Sequence, residues 1–474
     1  MGFDLIDFPT AFAGTAWAPV LITTGLGFMM KVSVGHGSGK RLLAMGMGPM
    51  AMESCQLAIT WVAINMPSIR RCYPLAGRAR ATLFSSKEDI KIVSTQFDTI
   101  RDGPSAGSCV ALAVVSWWLG CQPTAKLLGA TGELDLRGRI LAVGGLVEKT
   151  KAAKDIGLQR LVIPSPNHHQ LVAAEFSQIP GDFREYAQNI LAGAASMAEV
   201  LSLSIAGKCS CFITPTASSS SSIHISTSTI TITTAADCYI ILLVNLRPNT
   251  GMKETDTLAA AFDGPHVGVG FSPCLEDPGT TAMEVQCSMV KPGTTEIIIT
   301  GNNSDILREC VVSVREIVHK LAADIRAKVG IPSNDAGLDI CGASRDLHVH
   351  FHSSKEDDNT IPLVSHTNYM AGLFIAMVSL LLGKRTSEDL AAVGEVAYPG
   401  TLSALDEPWS DDLVRLCRDQ GIRRIVVASD SIIEPLGELE ARMLEDDDRP
   451  TLTFIFCENL LDALPECFGE CFGN

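Results

Sequence analysis

The chain has 474 residues, of which 46% are hydrophobic and 19% are charged. That balance is typical of a folded globular protein rather than a disordered one, and the length is sufficient for two or three domains. A net charge of −16, without any Lys/Arg-rich run, argues against nucleic acid or an anionic membrane as a partner.

Cysteine usage and hydropathy indicate the compartment. The 15 cysteines include no CxxC pair, which favours reduced thiols and argues against a zinc site. The opening MGFDLIDFPT is acidic and lacks arginine, unlike a signal or transit peptide. Two runs are the most apolar. Ala11–Met30 is interrupted by Pro19, and Tyr369–Gly383 is shorter than the roughly 20 residues of a membrane span. We expect an intracellular, cytoplasmic location.

Strand-like and helical patterns alternate along the N-terminal part. The predicted strands cover 10–34, 80–94 and 158–163, and the predicted helices cover 49–66, 106–120 and 146–156. In the first helix Glu53 and Gln56 fall on the polar side. This alternation predicts an α/β (α+β) fold with mixed sheets.

A Ser/Thr-rich tract at 208–235 divides the chain and reads as a flexible linker, although its Ile/Thr alternation is also compatible with an edge strand. It predicts two domains, 1–207 and 236–474. These two domains are weakly similar at near-constant offsets of 262 to 264 residues. The matching pairs are Val115–Gly120 with Val378–Gly383, Gly132-Glu133 with Gly394-Glu395, and Gly157–Ile163 with Gly421–Val427.

The segment Asp102-Gly103-Pro104-Ser105-Ala106-Gly107 presents a serine on a Gly/Pro turn before the apolar helix. Pro104 fixes φ, and Gly103 permits backbone angles closed to other residues. A serine at a helix N-terminus lies beside unpaired backbone N–H groups, so amides around 103–106 could form an oxyanion hole. The alternative interpretation is an N-cap serine on a buried helix.

Lys149 follows Ser105 by 44 residues, in Gly144-Gly145-Leu146-Val147-Glu148-Lys149. A lysine can take the proton of a serine hydroxyl only when it is neutral, which requires burial to lower its pKa from about 10.4 to roughly 7–8. The apolar neighbours of Lys149 suit such burial. The alternative is a surface lysine with an extended stem, as we expect for Lys151 and Lys154.

These motifs, with TGELDLRGR at 131–139 between them, resemble the proteolytic domain of the Lon family of Ser-Lys peptidases. Glu53-Ser54-Cys55-Gln56 and Ala16-Trp17 also fit that family, so the resemblance covers about 10–205. It implies a ribosomal protein S5 domain 2-like fold, here present twice.

The same resemblance assigns roles to individual residues. It implies that Ser105 is the nucleophile, that Lys149 is the general base, and that Thr131 hydrogen-bonds the lysine. It places Asp102 on a loop, shared with Gly103 and Pro104, that can open or obstruct the site.

This sequence departs from the family pattern in two ways. Ala142 replaces a proline, and the strand Asp89–Ile92 lacks the family's His-x-His, a motif that bears on the position of the loop. The second domain departs further: its nucleophile position falls on Asn368 or Met370, and its lysine position falls near Asp412 or Leu413. We therefore expect a degenerate copy that lacks the dyad.

Two further patterns predict no metal or cofactor. His348, His350 and His352 share a strand face in the second domain, but two of them match the family's His-x-His, which disfavours a metal site. Gly35–Lys40 superficially resembles a phosphate-binding loop, yet Val34 and Arg41 break the GxxxxGK[ST] pattern. We expect no ATP site in this chain.

The leading hypothesis is therefore a serine endopeptidase that cleaves peptides or unfolded proteins, with an ATPase acting in trans and a ring-forming homo-oligomer as candidate partners. A rival enzyme hypothesis treats GPSAG as an α/β-hydrolase turn, but the polar Gln96–Arg101 is not the apolar strand which that turn requires. The non-enzyme hypothesis is a scaffold or regulatory protein, and a further alternative is a fragment of a larger ATP-dependent protease.

Overall fold

The structure is a computed structural model that describes part of the chain. Its described residues fall into an N-terminal half, between 15 and 205, and a C-terminal half, between 267 and 468. These residues are 15–21, 26–36, 42–44, 47–73, 88–94, 102–120, 127–173, 181–205, 267–273, 282–290, 295–301, 305–331, 340–341, 345–353, 369–404, 417–431 and 452–468. The tract at 208–235 lies outside them, so its interpretation as a linker stays a prediction.

The N-terminal half is a mixed sheet covered by helices. Its described strands are β1 (Thr15–Leu21), β2 (Gly27–His36), β3 (Leu42–Ala44), β4 (Glu88–Ser94), β5 (Leu128–Ala130), β6 (Glu133–Leu134), β7 (Ile140–Leu141), β8 (Arg160–Pro164) and β9 (Leu191–Ala194). Its described helices are α1 (Pro49–Cys72), α2 (Gly107–Leu119), α3 (Leu146–Asp155), α4 (Ser165–Ala173), α5 (Gly181–Ile190) and α6 (Met197–Ser204). The sheet order is β3-β4-β2-β1-β5-β8-β9, and β6 and β7 form a separate hairpin.

The C-terminal half is built in the same way. Its described strands are β10 (Val269–Pro273), β11 (Ala282–Val290), β12 (Ile297–Thr300), β13 (Asp346–Ser353), β14 (Leu390–Ala392), β15 (Glu395–Ala397), β16 (Thr401–Ser403), β17 (Arg424–Ala428) and β18 (Thr453–Cys457). Its described helices are α7 (Asp305–Lys320), α8 (Ala322–Lys328), α9 (Met370–Leu382) and α10 (Leu460–Cys467).

Strand pairing recurs between the halves. The order β12-β13-β11-β10 repeats β3-β4-β2-β1, with the same parallel and antiparallel pairs. The order β14-β17-β18 repeats the all-parallel β5-β8-β9. Although β10 and β14 belong to separate sheets, they adjoin, because Ser272 Oγ on β10 donates to Ala392 O on β14 at 2.9 Å.

One apolar helix forms the centre of each core. Every residue of α2 except Trp117 and every residue of α9 except the partly buried Leu382 is buried, as expected of helices that are hydrophobic all round. Each helix ends at a glycine in the left-handed region, Gly120 at φ 65° and Gly383 at φ 63°.

The predicted α/β alternation is confirmed, with shifts at the ends of elements. The first helix continues past the expected residue 66 to Cys72, and α2 begins at Gly107 after a short 3₁₀ turn. None of the helices in the described ranges combines the length and the apolarity needed to cross a bilayer.

Candidate active site

Asp102 caps helix α1 from a distant part of the chain. The N-cap of α1 is Gly48, which has no side chain to accept a first-turn N–H. Asp102 Oδ1 instead accepts the N–H groups of Ala51 and Gly103, each at 3.0 Å. A Cβ at position 48 would lie 2.4 Å from Asp102 Cγ, so this approach requires glycine. In this structure Asp102 therefore fastens the serine-bearing loop to α1.

The backbone before Ser105 takes a conformation that is nearly restricted to glycine. Gly103 has φ 125° and ψ 150°, a region that L-residues with a side chain rarely adopt. Pro104 then opens the 3₁₀ turn Pro104–Ala106, because its fixed φ suits a first helical position. The carbonyl of Pro104 accepts the Ser54 hydroxyl at 2.6 Å, which ties the turn to α1 a second time.

Ser105 is not a helix cap. The N-cap of α2 is Ala106, and no side chain caps that helix end. The alternative interpretation of Ser105 as an N-cap is therefore wrong, and its position beside the first turn of α2 agrees with the nucleophile hypothesis. One amide of the predicted oxyanion region is already occupied, since the Gly103 N–H donates to Asp102.

Two groups of the TGE segment hold the Ser105 carbonyl. Gly132 N–H donates to Ser105 O at 2.9 Å, and Thr131 Oγ1 donates to the same oxygen at 3.1 Å. In return, Ser108 N–H donates to Gly132 O at 3.1 Å. Among the described residues Thr131 Oγ1 makes no bond to Lys149, so here it positions the serine backbone rather than the lysine.

Lys149 is buried in the first turn of α3. Its exposed fraction is 3%, and this burial lowers its pKa from the ordinary 10.5 to about 8. Among the described residues no carboxylate pairs with it, so no ion pair there offsets the effect of burial. The alternative of a surface lysine is thus wrong for Lys149, whereas Lys151 is exposed as expected.

A close backbone approach fixes the position of α3. A Cβ at Gly27, the first residue of β2, would lie 2.2 Å from Glu148 O and 3.2 Å from Lys149 N. Only glycine lets the helix that carries the lysine pack this closely on the strand. No hydrogen bond joins Ser105 Oγ to Lys149 Nζ in the described structure. In unliganded active sites such catalytic bonds are often long and tighten when substrate binds.

Sequence reasoning missed two residues that shape the turn. It noted Ser54 only as part of a motif, and its bond to Pro104 spans 50 positions, which no local pattern reveals. Gly107 was likewise noted only as part of a motif, but its main constraint is space. A Cβ there would lie 2.8 Å from Ser54 Oγ and 3.2 Å from Leu134 N.

Glu133 is a further titratable group beside the turn. Burial, with a smaller contribution from Asp135, raises the pKa of Glu133 to about 7. The sequence showed this glutamate in the TGE motif but carried no signal of its desolvation. Its position two residues after Thr131 makes it part of the same segment that holds Ser105.

One of the two positions that the sequence matches to the nucleophile, Met370, lies among the described residues of the C-terminal half. Met370 is the first residue of α9, where α2 has Gly107. Asn368, Asp412 and Leu413 lie outside the described residues, so the prediction that the dyad is absent from these positions rests on sequence.

Two of the three histidines of β13, His348 and His350, contact threonine hydroxyls. His348 Nδ1 lies 2.8 Å from Thr60 Oγ1, and Thr300 Oγ1 lies 2.9 Å from His348 Nε2 and 3.0 Å from His350 Nδ1. Burial lowers the pKa of both His348 and His350 to about 3, so both rings are neutral. No group of three or more metal-ligating side chains occurs within the described ranges.

Comparison with known proteins identifies the class of the N-terminal half. Residues 7–206 match the family model of the Lon protease (S16) C-terminal proteolytic domain. The recognition of this region as a Lon-type proteolytic domain is thus confirmed.

Individual relatives agree with the family match. A Lon protease of Bacillus thuringiensis is 33% identical over 204 residues, which cover 43% of this chain and 23% of the relative. A Lon protease of Lachnoclostridium phytofermentans is 36% identical over 162 residues, or 34% of this chain and 18% of the relative. The peroxisomal Lon protease homolog 2 of Xenopus laevis is 31% identical over 216 residues, or 45% of this chain and 23% of the relative. The chain therefore spans less than a quarter of the length of these relatives.

Proposed function

We propose that the N-terminal half is a serine endopeptidase that uses Ser105 as nucleophile and Lys149 as general base. The observation that carries the proposal is the burial of Lys149 without an acidic partner among the described residues, which brings its pKa to about 8. A lysine in that state is a usable base near neutral pH, whereas an exposed lysine is not. Similarity to Lon proteases supports the same reaction class.

The proposed reaction has two steps. Neutral Lys149 takes the hydroxyl proton of Ser105 as its oxygen attacks the peptide carbonyl, and the protonated lysine then gives that proton to the leaving amine. An acyl-enzyme forms on Ser105. Lys149 next takes a proton from water, the resulting hydroxide attacks the ester, and the proton returns to Ser105 as the acid product leaves.

Backbone groups supply the remaining parts of the proposed site. Amides of the turn at 103–106 would stabilise the oxyanion, although the Gly103 N–H would first have to leave Asp102. Thr131 and Gly132 would hold the serine backbone through its carbonyl. No cofactor or metal takes part in this scheme.

The proposed substrates are peptides or already unfolded proteins. An ATPase acting in trans, or as part of a longer protein, would extend them to folded proteins. A ring-forming homo-oligomer and an intracellular location remain proposals, drawn from the family resemblance and the sequence. The competing proposal is a non-catalytic scaffold or regulator, in which Ser105 and Lys149 do not form a hydrogen bond even when a peptide is bound.

We also infer that the two halves are copies of one ribosomal protein S5 domain 2-like unit, the second without a dyad. Three observations support this inference. The strand order recurs, α2 and α9 have equal lengths, and the Thr131 N–H bond to Val162 O is repeated by Val393 N–H to Val426 O at the same 3.0 Å.

Hydrolysis of fluorogenic peptides and casein without nucleotide tests the peptidase proposal. We expect Ser105→Ala and Lys149→Ala each to lower kcat/KM by roughly 10³-fold or more. Lys151→Ala is the matched control, since it removes an exposed lysine from the same helix, and it should retain activity. A folded wild type with no activity, or activity that survives Ser105→Ala, would reject this mechanism and favour the scaffold.

A further inference from the structure

The C-terminal half contacts two elements that also hold the serine turn. One is helix α1, and the other is the hairpin at 133–141 formed by β6, β7 and their connecting turn. The contact surface lies on β11, β12 and β13 of the C-terminal half. Its polar groups are buried, so their hydrogen bonds strongly affect how the halves sit together.

Gln286 on β11 is the centre of the hairpin contact. This residue is 1% exposed, and its Oε1 accepts the Leu136 N–H at 2.9 Å. Its Nε2 donates to Asp135 Oδ2 at 3.1 Å and to Glu284 Oε1 at 2.8 Å. Loss of this amide would leave a peptide N–H and a carboxylate oxygen of the hairpin without these partners.

Charged groups reinforce the same contact. Glu284 accepts from Arg137 Nη1 at 3.2 Å and from Arg139 Nη2 at 3.0 Å. Arg139 also pairs with Asp135, which is fully buried. Burial alone would raise the pKa of Asp135, but Arg139, with smaller help from His352 and Gln286, holds it below its ordinary value. The hairpin therefore presents both signs of charge to matching groups of the C-terminal half.

Helix α1 is anchored at two points. Near its N-terminus, the Gly301 N–H donates to Glu53 Oε2 at 3.1 Å. Farther along, Thr60 Oγ1 lies 2.8 Å from His348 Nδ1, and all polar atoms of this pair belong to buried residues. The C-terminal half thus fixes α1 both beside the serine turn and two helical turns away from it.

The same two elements hold the serine turn by their adjacent residues. Glu53 precedes Ser54, which binds Pro104 O, while the hairpin begins directly after Gly132, which binds Ser105 O. The nearest contact with the C-terminal half is therefore one residue from a contact with the turn on α1, at Glu53, and three residues from one on the hairpin, at Asp135. A shift of either element would move Ser105 relative to Lys149, which is carried on a third element, α3.

We propose that the C-terminal half is a positioning module that keeps the Ser105 turn in its reactive place, with Gln286 and Glu284 as positioning residues. As a statement about catalysis it rests on the proposed peptidase function. As a statement about structure it stands on these contacts alone. The proposed role of the C-terminal half is then to fix helix α1 and the hairpin at 133–141, the two elements that hold the serine turn.

The test compares full-length variants by kinetics and by amide hydrogen exchange. Gln286→Met keeps the side-chain length but removes both hydrogen-bonding ends, and Glu284→Gln is a milder change that removes only the charge. We expect kcat to fall on the order of tenfold to a hundredfold with a smaller change in KM, because the peptide site is intact but the nucleophile is displaced. Amide exchange should become faster at 102–107 and at 131–132.

Thr386→Val is the matched control. Thr386 is also buried, and its hydroxyl donates to Val269 O at 2.8 Å within the C-terminal half, so the variant loses a buried bond that does not reach α1 or the hairpin. It should leave exchange at 102–107 and the ratio of kcat to KM unchanged. Circular dichroism and thermal unfolding establish that each variant is folded.

Failure of this proposal is distinct from failure of the peptidase proposal. Unchanged exchange at 102–107 in folded Glu284→Gln and Gln286→Met would overturn the positioning role, whatever the activity. If Gln286→Met does not fold, Glu284→Gln alone decides the matter. A wild type without Ser105-dependent hydrolysis would reject the peptidase, while the exchange result would still confirm or reject the positioning module.

Discussion

The two halves resemble each other in strand order and in several main-chain hydrogen bonds, here called the backbone frame, but differ in the side chains attached to it. The bond from Ser108 N–H to Gly132 O in the N-terminal half is matched by Ala371 N–H to Gly394 O, and both measure 3.1 Å. Both of the accepting glycines have positive φ, 152° and 136°. The backbone frame thus includes matching main-chain bonds to glycines of positive φ in both halves.

Side chains at matching places separate the halves. Where Thr131 donates its hydroxyl to Ser105 O, the C-terminal half has Val393, which offers no donor. Where Gly107 leaves room for Ser54, α9 begins with Met370, a buried apolar residue. The difference teaches that the chemistry depends on a small set of polar groups and on the space left around them, not on the fold itself.

The C-terminal half places its own buried polar groups elsewhere. Gln286, Glu284 and His348 face the other half rather than an internal site. The N-terminal half thus has polar residues at a candidate active site, whereas these three residues of the C-terminal half contact the neighbouring half. Four predictions follow from this contrast, beginning with the largest expected effect.

Lys149→Met should abolish peptidase activity and stabilise the protein. We expect a loss of roughly 10³-fold or more in kcat/KM. At pH 7 removal of an unpaired buried ammonium should raise the free energy of unfolding by on the order of 2 to 3 kcal/mol, given the lowering of its pKa to about 8. Peptide hydrolysis and urea unfolding measure the two effects.

The pH dependence of this stabilisation has a definite sign. Because the folded-state pKa of Lys149 is lowered, the unfolded chain binds the proton more tightly between pH 8 and 10.5. Wild-type stability should therefore rise relative to Lys149→Met across this window, and the gap between them should shrink. A gap that stays constant up to pH 10.5 would show that Lys149 does not have the lowered pKa. Wild-type kcat/KM should likewise rise with pH through about 8.

Gly107→Ala tests the space around the serine turn. It also makes this position more like its counterpart in the C-terminal half, Met370. Its Cβ would meet Ser54 Oγ at 2.8 Å, so either the turn or α1 must shift. We expect kcat to fall on the order of a hundredfold. Gly144→Ala is the control, because a Cβ at that position has no neighbour among the described residues within 4 Å. Equal activity of the two variants would contradict the steric argument.

The contact between the halves should weaken in acid. His348 is neutral in the fold with a pKa of about 3, whereas in the unfolded chain it titrates near 6.5. Unfolding therefore takes up a proton below pH 6.5, and stability falls as pH decreases, by on the order of 2 kcal/mol between pH 6.5 and 5.

His348→Gln should make this acid dependence shallower, although His350 retains its own share. Urea unfolding of wild type and variant at pH 7, 6 and 5 measures the difference. Parallel stability curves for the two proteins would show that His348 is not buried as a neutral ring.

Sequence patterns predicted the motifs and the alternation of elements because both are local. The DGPSAG motif spans six consecutive residues, and the apolar residues that predicted α2 all lie within that one helix. The support of the turn was not predictable in the same way. Ser54 reaches Pro104 across 50 positions and Gln286 reaches Leu136 across 150, and such bonds exist only after the chain has folded. The burial of Lys149 was partly predictable. Its apolar neighbours in the sequence indicated a buried side chain, but the burial itself depends on tertiary packing.

Thr131→Val gives the smallest expected effect and compares the halves most directly, since it installs the residue that stands in the matching place, Val393. The backbone bond from Thr131 N–H to Val162 O remains, and so does Gly132 N–H to Ser105 O, so the frame should persist. Only the hydroxyl bond to Ser105 O is lost, which costs about 1 kcal/mol and should lower kcat by roughly tenfold or less. Thr131→Ser, which keeps the hydroxyl, should restore most of the rate. If valine and serine act alike, the hydroxyl of Thr131 has no part in holding the nucleophile, and the contrast with the C-terminal half at this position has no catalytic meaning.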